Sequence, residues 1–89
     1  MHKVFYTHKA GEDLRNLDQK SAKRIIKKIS FFSNQKNFLS FAKKLQNTAI
    51  GTYRFRIGDY RAIFDIDAKG SIQILVILRI KHRKDVYNL

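Results

Sequence analysis

A change of hydrophobic period near the middle of the chain constrains its fold more than any other feature. Between Ala10 and Phe32, apolar residues recur every three or four positions, which is the spacing along one face of a helix. From Gly51 onward, apolar residues alternate with polar or charged ones, as in a strand with one buried face. The sequence therefore predicts helices first and a sheet afterwards, in a fold of the α+β class.

The N-terminal half predicts a strand at 2–6 followed by two helices. Thr7 can cap the first helix and Asp18 the second, because their side-chain oxygens can accept from free N–H groups of the first turn. Helices joined by so short a link pack as an antiparallel hairpin. The second helix has an apolar stripe that we expect to lie in the core. Its members are Ala22, Ile25, Ile26, Ile29 and Phe32.

Three strands are predicted after residue 51, and they form an antiparallel meander. Gly58-Asp59 is a two-residue hairpin signal, and 68–71 makes the next turn. For the last strand we predict an inward face made of Ile72, Ile74, Val76, Leu78 and Ile80. The full order is β-α-α-β-β-β, with no strong pattern at 33–47 and a charged tail after the last strand.

Length and composition narrow the class of protein. The 89 residues predict a single domain over 1–89. The absence of cysteine excludes disulfides and thiolate metal sites, and it favours an intracellular protein. No signal peptide or membrane-spanning run is recognisable, so we expect a soluble, cytoplasmic protein.

The net charge of +12 is the first indication of function. A compact chain with 19 Lys and Arg against seven acids repels itself, and a polyanionic partner would relieve this repulsion. Nucleic acid, an acidic protein and anionic lipid are the candidate partners. The alternative is an ordinary solvated basic surface.

Most common catalytic sites are missing from the sequence. Asp65 and Asp67 could ligate a magnesium ion, but two-metal nucleases need several converging carboxylates, so solvated strand acids are the favoured interpretation. No Ser-His-Asp set, glycine-rich phosphate loop or HExxH motif is present. His2 and His8 are interpreted as surface residues. We therefore predict an activity that uses no metal and no cofactor.

Basic side chains are predicted to share the uncovered face of the sheet. Arg54 and Arg56 alternate away from the core on one strand, and Arg61 does so across the turn. Such a surface suits metal-free RNA cleavage, in which a 2′-hydroxyl attacks the adjacent phosphate. That reaction needs a base, cations around the developing charge and a proton donor for the leaving oxygen. Further candidates on the last strand and tail are Arg79, Lys81, His82, Arg83 and Tyr87.

Two segments resemble the core of the RelE branch of the RelE/ParE toxin superfamily. They are YRFRIGDYRAIFDID at 53–67 and ILVILRIKHRKDVY at 74–87. The resemblance implies a RelE-like fold and ribosome-dependent endoribonuclease activity on messenger RNA, which inhibits translation. It also implies neutralisation by a cognate acidic antitoxin, which we expect to cover the helical hairpin and the cationic sheet face. A ParE-like DNA gyrase inhibitor without nuclease activity and a catalytically inactive member are the alternatives.

The resemblance also assigns roles to single residues. Arg54 and Arg56 match strand residues that bind the substrate phosphate and activate the nucleophile, and Arg61 matches the arginine that supports the transition state. In the tail, three residues match catalytic residues of the family. His82 matches an acid or base, and Arg83 lies in the matching basic segment. Tyr87 matches a tyrosine that stacks on the substrate and aids proton transfer.

The remaining basic candidates are assigned to substrate binding. They are Lys43 and Lys44, before the first sheet motif, and Arg79 and Lys81 on the last strand. Lys81 replaces the small residue expected before His82. The sequence leaves open whether Lys81 or His82 is the acid or base.

Overall fold

Helices and strands follow the predicted order, with three additions. The computed structural model describes residues 2–46 and 49–87 and, at 86 and 87, the backbone alone. The elements in chain order are β1 (His2–Tyr6), α1 (His8–Arg15), α2 (Gln19–Ser33), a 3₁₀ turn (Phe38–Phe41), β2 (Ala42–Lys44), β3 (Tyr53–Ile57), β4 (Tyr60–Lys69), β5 (Ile72–His82) and α3 (Arg83–Tyr87). The 3₁₀ turn, β2 and α3 are the elements that the sequence did not predict.

All five strands form one mixed sheet with the order β1-β5-β4-β3-β2. β1 runs parallel to β5, and every other neighbouring pair is antiparallel. Gly58 adopts a positive φ of 59° in the turn between β3 and β4, as the hairpin signal predicts. The predicted α+β arrangement is therefore correct, and β2 extends the expected meander by one short strand.

The two predicted helices, α1 and α2, begin at the predicted caps. The Thr7 hydroxyl accepts a hydrogen bond from the Ala10 N–H at 3.1 Å, and the Asp18 carboxylate accepts from the Ser21 N–H at 3.0 Å. Each bond satisfies one of the free donors of a first helical turn. The same Thr7 hydroxyl donates to the Leu78 carbonyl at 2.9 Å, so the cap of α1 also fastens the helix to β5.

The core lies between the helices and one face of the sheet. Ile25 and Ile29 of α2 are buried as predicted, and Ala22 and Phe32 pack against the same cluster. Ile26 was predicted to lie in the core as well, but it is 44% exposed. The buried members from the sheet are Phe55, Ile57, Ala62, Phe64, Leu75, Ile77 and Ile80. This packing leaves the opposite face of the sheet without a helix and available for a site.

β5 departs from simple alternation, and this corrects the predicted inward face. Leu75 and Ile77 are fully buried in the core, whereas Ile74 and Val76 are only half-buried. Ile63 pairs with Arg79 and Phe64 with Ile77, so Leu78 is an extra residue without a partner on β4. Such a β-bulge reverses the facing of all later residues. The prediction failed because residues 74–78 are apolar throughout and give no alternation to read.

Among the residues that the structure describes, no helix is long and apolar enough to cross a membrane.

Candidate functional site

A groove of about 290 Å³ lies on the sheet face opposite the helices. It is lined by Phe41, Lys43, Arg54, Arg56 and Arg61. Four of these five side chains are cationic, so the groove suits an anion. The fifth, Phe41, was not singled out from the sequence, because it lies in the segment without a periodic pattern.

Strand pairing explains why these cations meet. Lys43 of β2 is the cross-strand partner of Arg54 of β3, and Arg56 of β3 is the partner of Arg61 of β4. Cross-strand partners project from the same face of a sheet and lie about 5 Å apart at the backbone. The predicted cationic face is therefore formed by three adjacent strands.

Arg61 is the most unusual side chain of the groove, because it is charged and only 3% exposed. One Nη atom donates to the carbonyl oxygens of Gly58 and Tyr60, both at 2.9 Å. The Nε–H is buried without a hydrogen-bond partner. Leaving a buried polar group unpaired costs free energy, so this donor is a candidate for binding a ligand atom.

Neutralising carboxylates are absent from the described part of the groove. Within residues 2–46 and 49–85, the ion pairs involve other cations, namely His8, Arg79 and Arg83. The positive charges of Lys43, Arg54, Arg56 and Arg61 are therefore free to act together on a bound anion.

Lys81 and His82 lie on opposite faces of β5. Lys81 is the cross-strand partner of Arg61, so it stands on the groove face. His82 pairs with Tyr60, whose ring it meets edge to face at 5.6 Å between centroids. The Nδ1 atom of His82 accepts from the Lys84 N–H at 3.3 Å. The bulge therefore brings Lys81 next to the arginines and turns His82 away from them.

Comparison with known proteins shows the family to which the chain belongs. A family model described as the ParE toxin of the type II toxin–antitoxin system parDE matches residues 4–87. The toxin RelG of Mycobacterium tuberculosis is 31% identical over 84 residues, which are 94% of this chain and 93% of RelG. The chain belongs to the RelE/ParE toxin superfamily. It is a toxin of the type II class, homologous to RelG.

Solved structures of relatives match 91% or more of the toxin and confirm the predicted RelE-like fold. The toxin–antitoxin complex RelBE2 from M. tuberculosis contains a chain that is 27% identical, with a TM-score of 0.70 over 91% of this toxin and 96% of that chain. The RelB–RelE complex from Methanococcus jannaschii contains one that is 26% identical, with a TM-score of 0.60 over 96% of each chain. Both of these are structures of a toxin–antitoxin complex.

Arg79, one of the predicted substrate-binding residues, is engaged elsewhere in the toxin. Its Nε and one Nη donate to the Asp13 carboxylate of α1 at 2.8 and 3.1 Å, and the Ile80 N–H donates to the same carboxylate at 2.9 Å. Burial raises the pKa of Asp13, but these hydrogen bonds and the charges of Arg79 and Lys81 outweigh it and lower that pKa overall. The bond to Asp13 in turn raises the pKa of Arg79. Arg79 is thus half of an ion pair that joins α1 to the bulge.

The other predicted residues are dispersed around the groove. Lys44 pairs with Tyr53, a residue of the core side, and therefore does not share the face of Lys43. Arg83 begins α3, and its Nε lies 3.8 Å from the Asp59 carboxylate. The side chain of Tyr87 lies outside the described residues. The structure thus unites Lys43, Arg54, Arg56 and Arg61 in the groove, and Lys81 stands next to Arg61 as its cross-strand partner. Lys81 also lines a neighbouring pocket with Arg79 and His82, and Lys44 and Arg83 lie outside the groove.

Asp65 has a structural partner. Its carboxylate accepts a hydrogen bond from the Thr52 N–H at 2.7 Å, which holds the start of β3. In the described part of the chain, no three His, Asp or Glu side chains converge in a way that could hold a metal ion.

Proposed function

We propose that this toxin is a ribosome-dependent endoribonuclease, an mRNA interferase, that cuts messenger RNA without a metal ion and so inhibits translation. The observation that supports it most is Arg61, a buried guanidinium with an unpaired Nε–H beside three cations that no described carboxylate neutralises. Burial of an unpaired donor is unfavourable in the free toxin. It becomes favourable when a phosphate oxygen accepts that hydrogen bond.

The proposed reaction is an internal attack within the RNA strand. The 2′-oxygen bonds to the adjacent phosphorus, the bond from phosphorus to the 5′-oxygen breaks, and a 2′,3′-cyclic phosphate and a 5′-hydroxyl result. The proton of the 2′-hydroxyl is removed, and the leaving 5′-oxygen gains one. Negative charge grows on the phosphate oxygens in between, where fixed cations are most effective.

The groove and its neighbouring strand supply cations for the growing negative charge and a proton donor for the leaving oxygen. Arg54, Arg56 and Arg61 can bind phosphate oxygens through paired N–H donors while keeping their charge. Lys81, next to Arg61, is the proposed proton donor to the 5′-oxygen, since an ammonium group carries a proton to give. Removal of the 2′-hydroxyl proton is assigned to Tyr87 on the family resemblance. His82 is left without a chemical step.

A cognate acidic antitoxin is proposed as the toxin's protein partner. The relatives solved as complexes support this, because they were crystallised with RelB. A net charge of +12 favours an acidic segment lying across the helical hairpin and the groove. An antitoxin that is basic in its toxin-binding region would contradict this electrostatic account.

A second candidate function follows from the family model itself, which is that of ParE toxins. A ParE-like toxin would inhibit DNA gyrase by binding and would need no proton donor beside Arg61. A catalytically inactive RelE-fold member would likewise bind without cleaving.

One experiment separates these candidates. Purified toxin is added to a translating extract, and the 5′ ends of the mRNA are mapped, while gyrase supercoiling is assayed in parallel. The proposal expects new 5′-hydroxyl ends in the codon at the ribosomal A site and unchanged supercoiling. Intact mRNA together with inhibited supercoiling would establish the ParE-like function instead, and intact mRNA with unchanged supercoiling would indicate an inactive member.

A further inference from the structure

Phe41 combines a position in the cationic groove with considerable exposure. It ends the 3₁₀ turn directly before β2, and it is 42% exposed although it is a large apolar side chain. It lines the same groove as Arg61, whose buried Nε–H lacks a partner. An exposed ring next to phosphate-binding groups is the arrangement by which proteins hold unpaired nucleotides.

A column of ring contacts holds Phe41 in place. Phe55 stacks on Phe64 at 4.3 Å between ring centroids and meets Phe32 at 5.0 Å with a tilt of 39°. Phe32 in turn stacks on Phe41 at 5.1 Å and an interplanar angle of 23°. Tyr53 stacks on the far side of Phe64 at 5.6 Å. Four of the five rings belong to the core or pack against it, and Phe41 is the exposed end. Its orientation is therefore fixed before any ligand arrives, which reduces the entropy lost on binding.

Charge explains why a nucleotide base suits this ring better than an apolar side chain of a protein. Phe41 shares its groove with Lys43, Arg54 and Arg56, so a ligand bound in the groove can cover the ring and meet these cations. A nucleotide brings a π surface and a phosphate together, so the same ligand satisfies the ring and the charges.

We propose that Phe41 is a stacking platform for an unpaired RNA base whose strand places a phosphate on Arg61. The inference rests on the proposed function, because it takes the groove as the RNA site. It adds a second base contact on β2's side of the groove, separate from the stacking that the family resemblance gives to Tyr87. The base continues the column of rings, and stacking tolerates any base, so the contact fixes the strand's position and not its sequence.

The toxin contains no tryptophan, so Phe41→Trp introduces a single fluorescent reporter. The probe is a short 2′-O-methyl oligonucleotide, which cannot undergo 2′-hydroxyl attack, and its comparison is an abasic oligonucleotide with the same number of phosphates. At low salt, the net charge of +12 ensures association with both. We expect the indole emission of Phe41→Trp to be quenched by the oligonucleotide with bases and not by the abasic one.

Phe5→Trp is the control. Phe5 is 59% exposed on β1, the edge strand at the opposite end of the sheet from β2, and it does not line the groove. Phe31 is unsuitable, because its ring meets that of Phe41 edge to face at 6.3 Å between centroids. The emission of Phe5→Trp should respond equally to both oligonucleotides. Equal responses of Phe41→Trp to both probes, or base-dependent quenching of Phe5→Trp to the same extent, would overturn the inference.

Affinity gives a second measurement that does not depend on the reporter. Phe41→Ala should weaken binding of the oligonucleotide with bases by roughly 5- to 150-fold and leave abasic binding unchanged, whereas Phe41→Tyr should retain both. The abasic probe controls for loss of fold in each variant, because a disordered groove would weaken both. Equal loss for both probes in folded Phe41→Ala would count against stacking. Failure of the unaltered toxin to cut mRNA on ribosomes would defeat the proposed function alone and leave these two binding results standing.

Discussion

Arg61 is where charge and burial conflict most sharply in this toxin. A guanidinium that is 3% exposed has lost most of its hydration, and only two backbone carbonyls replace it. Removing such a group in favour of a well-packed apolar one is commonly neutral or stabilising. Residues that cost stability in this way are concentrated at functional sites, where activity requires them.

Replacement of Arg61 should therefore separate activity from stability. We expect Arg61→Met to keep or raise the melting temperature of the toxin. The activation free energy of cleavage should rise by about 2–4 kcal/mol, the usual loss when one fixed donor to a transition state is removed. Single-turnover cleavage at saturating ribosome, with binding measured separately, tests this. Lys27→Met on α2 is the control for loss of one charge. Cleavage by Arg61→Met at the unaltered rate would remove Arg61 from the mechanism.

Lys81 and His82 offer a second prediction, because β5 turns them to opposite faces. Lys81→Met should lower the single-turnover cleavage rate by about 10²- to 10⁴-fold, as expected for loss of a general acid, while His82→Gln should change it little. A 5′-thiolate can leave without gaining a proton. A substrate whose 5′-oxygen is replaced by sulfur should therefore be cleaved equally by Lys81→Met and by the unaltered toxin. The reverse order of sensitivity would assign proton transfer to His82.

For single residues, the sequence predicted which cations share a face of the sheet but not which groups they bind. Alternation alone placed Arg54, Arg56 and Arg61 on one face, and pairing across β3 and β4 bears this out. It could not show that Arg79 would be taken up by Asp13, because the two are 66 positions apart. It also missed Phe41, whose significance depends on the rings beneath it and on strands that follow it in the chain.

Among the elements, α1 and the bulge of β5 form one unit. Thr7 at the start of α1 binds the Leu78 carbonyl, and Asp13 further along binds Arg79 and the Ile80 N–H. The Thr7 N–H also donates to the Ile77 carbonyl at 3.0 Å, so Thr7 and Asp13 together hold both sides of the extra residue. Since the bulge decides which of Lys81 and His82 shares the face of Arg61, Asp13 is a positioning residue for Lys81.

Loss of the Asp13 charge should destabilise the toxin in a pH-dependent way. We expect Asp13→Asn to lower the free energy of unfolding by about 2 kcal/mol near neutral pH, since hydrogen bonds to a charged partner are replaced by weaker ones. The pKa of Asp13 is lowered in the folded toxin, so its contribution is complete above the ordinary value of 3.8 and is lost as the pH falls below it. Urea unfolding of both proteins from pH 7 to pH 2.5 should show the difference shrinking below about pH 4. A difference independent of pH would exclude the ion pair as its source.

The elements themselves divide by the strength of their local signals. The caps Thr7 and Asp18 and the turn at Gly58 were readable, because each depends on one or two neighbouring residues. β2 has three residues and forms only by pairing with β3, so its local sequence carries little information. Which residues of β5 face the core depends on the bulge that α1 contacts, and no pattern within β5 reveals it.

Over the whole molecule, positive charge is spread over both the groove and the helices. Lys23 and Lys27 are exposed on α2, away from the groove. We expect Lys23→Ala and Lys27→Ala to weaken ribosome association modestly and each to reduce the slope of log K against log salt by up to about 1. Their cleavage rates at saturating ribosome should be unchanged. A fall in that rate would place α2 at the reacting strand.

Several carboxylates are already bound by other groups of the protein. Asp13, Asp59 and Asp65 each have a protein partner within the described residues. We therefore predict that cleavage needs no divalent ion of its own. Because ribosomes require magnesium, the test is a structure of the toxin with a 2′-O-methyl RNA, soaked with manganese, in which we expect no ion beside the scissile phosphate. A manganese ion found bound by Asp65 and Asp67 beside the scissile phosphate would contradict this prediction.

The position of β5 in the sheet has a consequence for how the toxin is made. β5 is the last strand in the chain, yet it lies between β1, the first, and β4. During synthesis, β1 and α1 leave the ribosome without the strand on which they pack, and the groove lacks Lys81 until β5 has followed them. Folding of this sheet thus waits until β5 is synthesised, as is typical of contacts between distant segments. On the proposed function, the ribosome that makes this toxin must have synthesised β5 before the product can act on it.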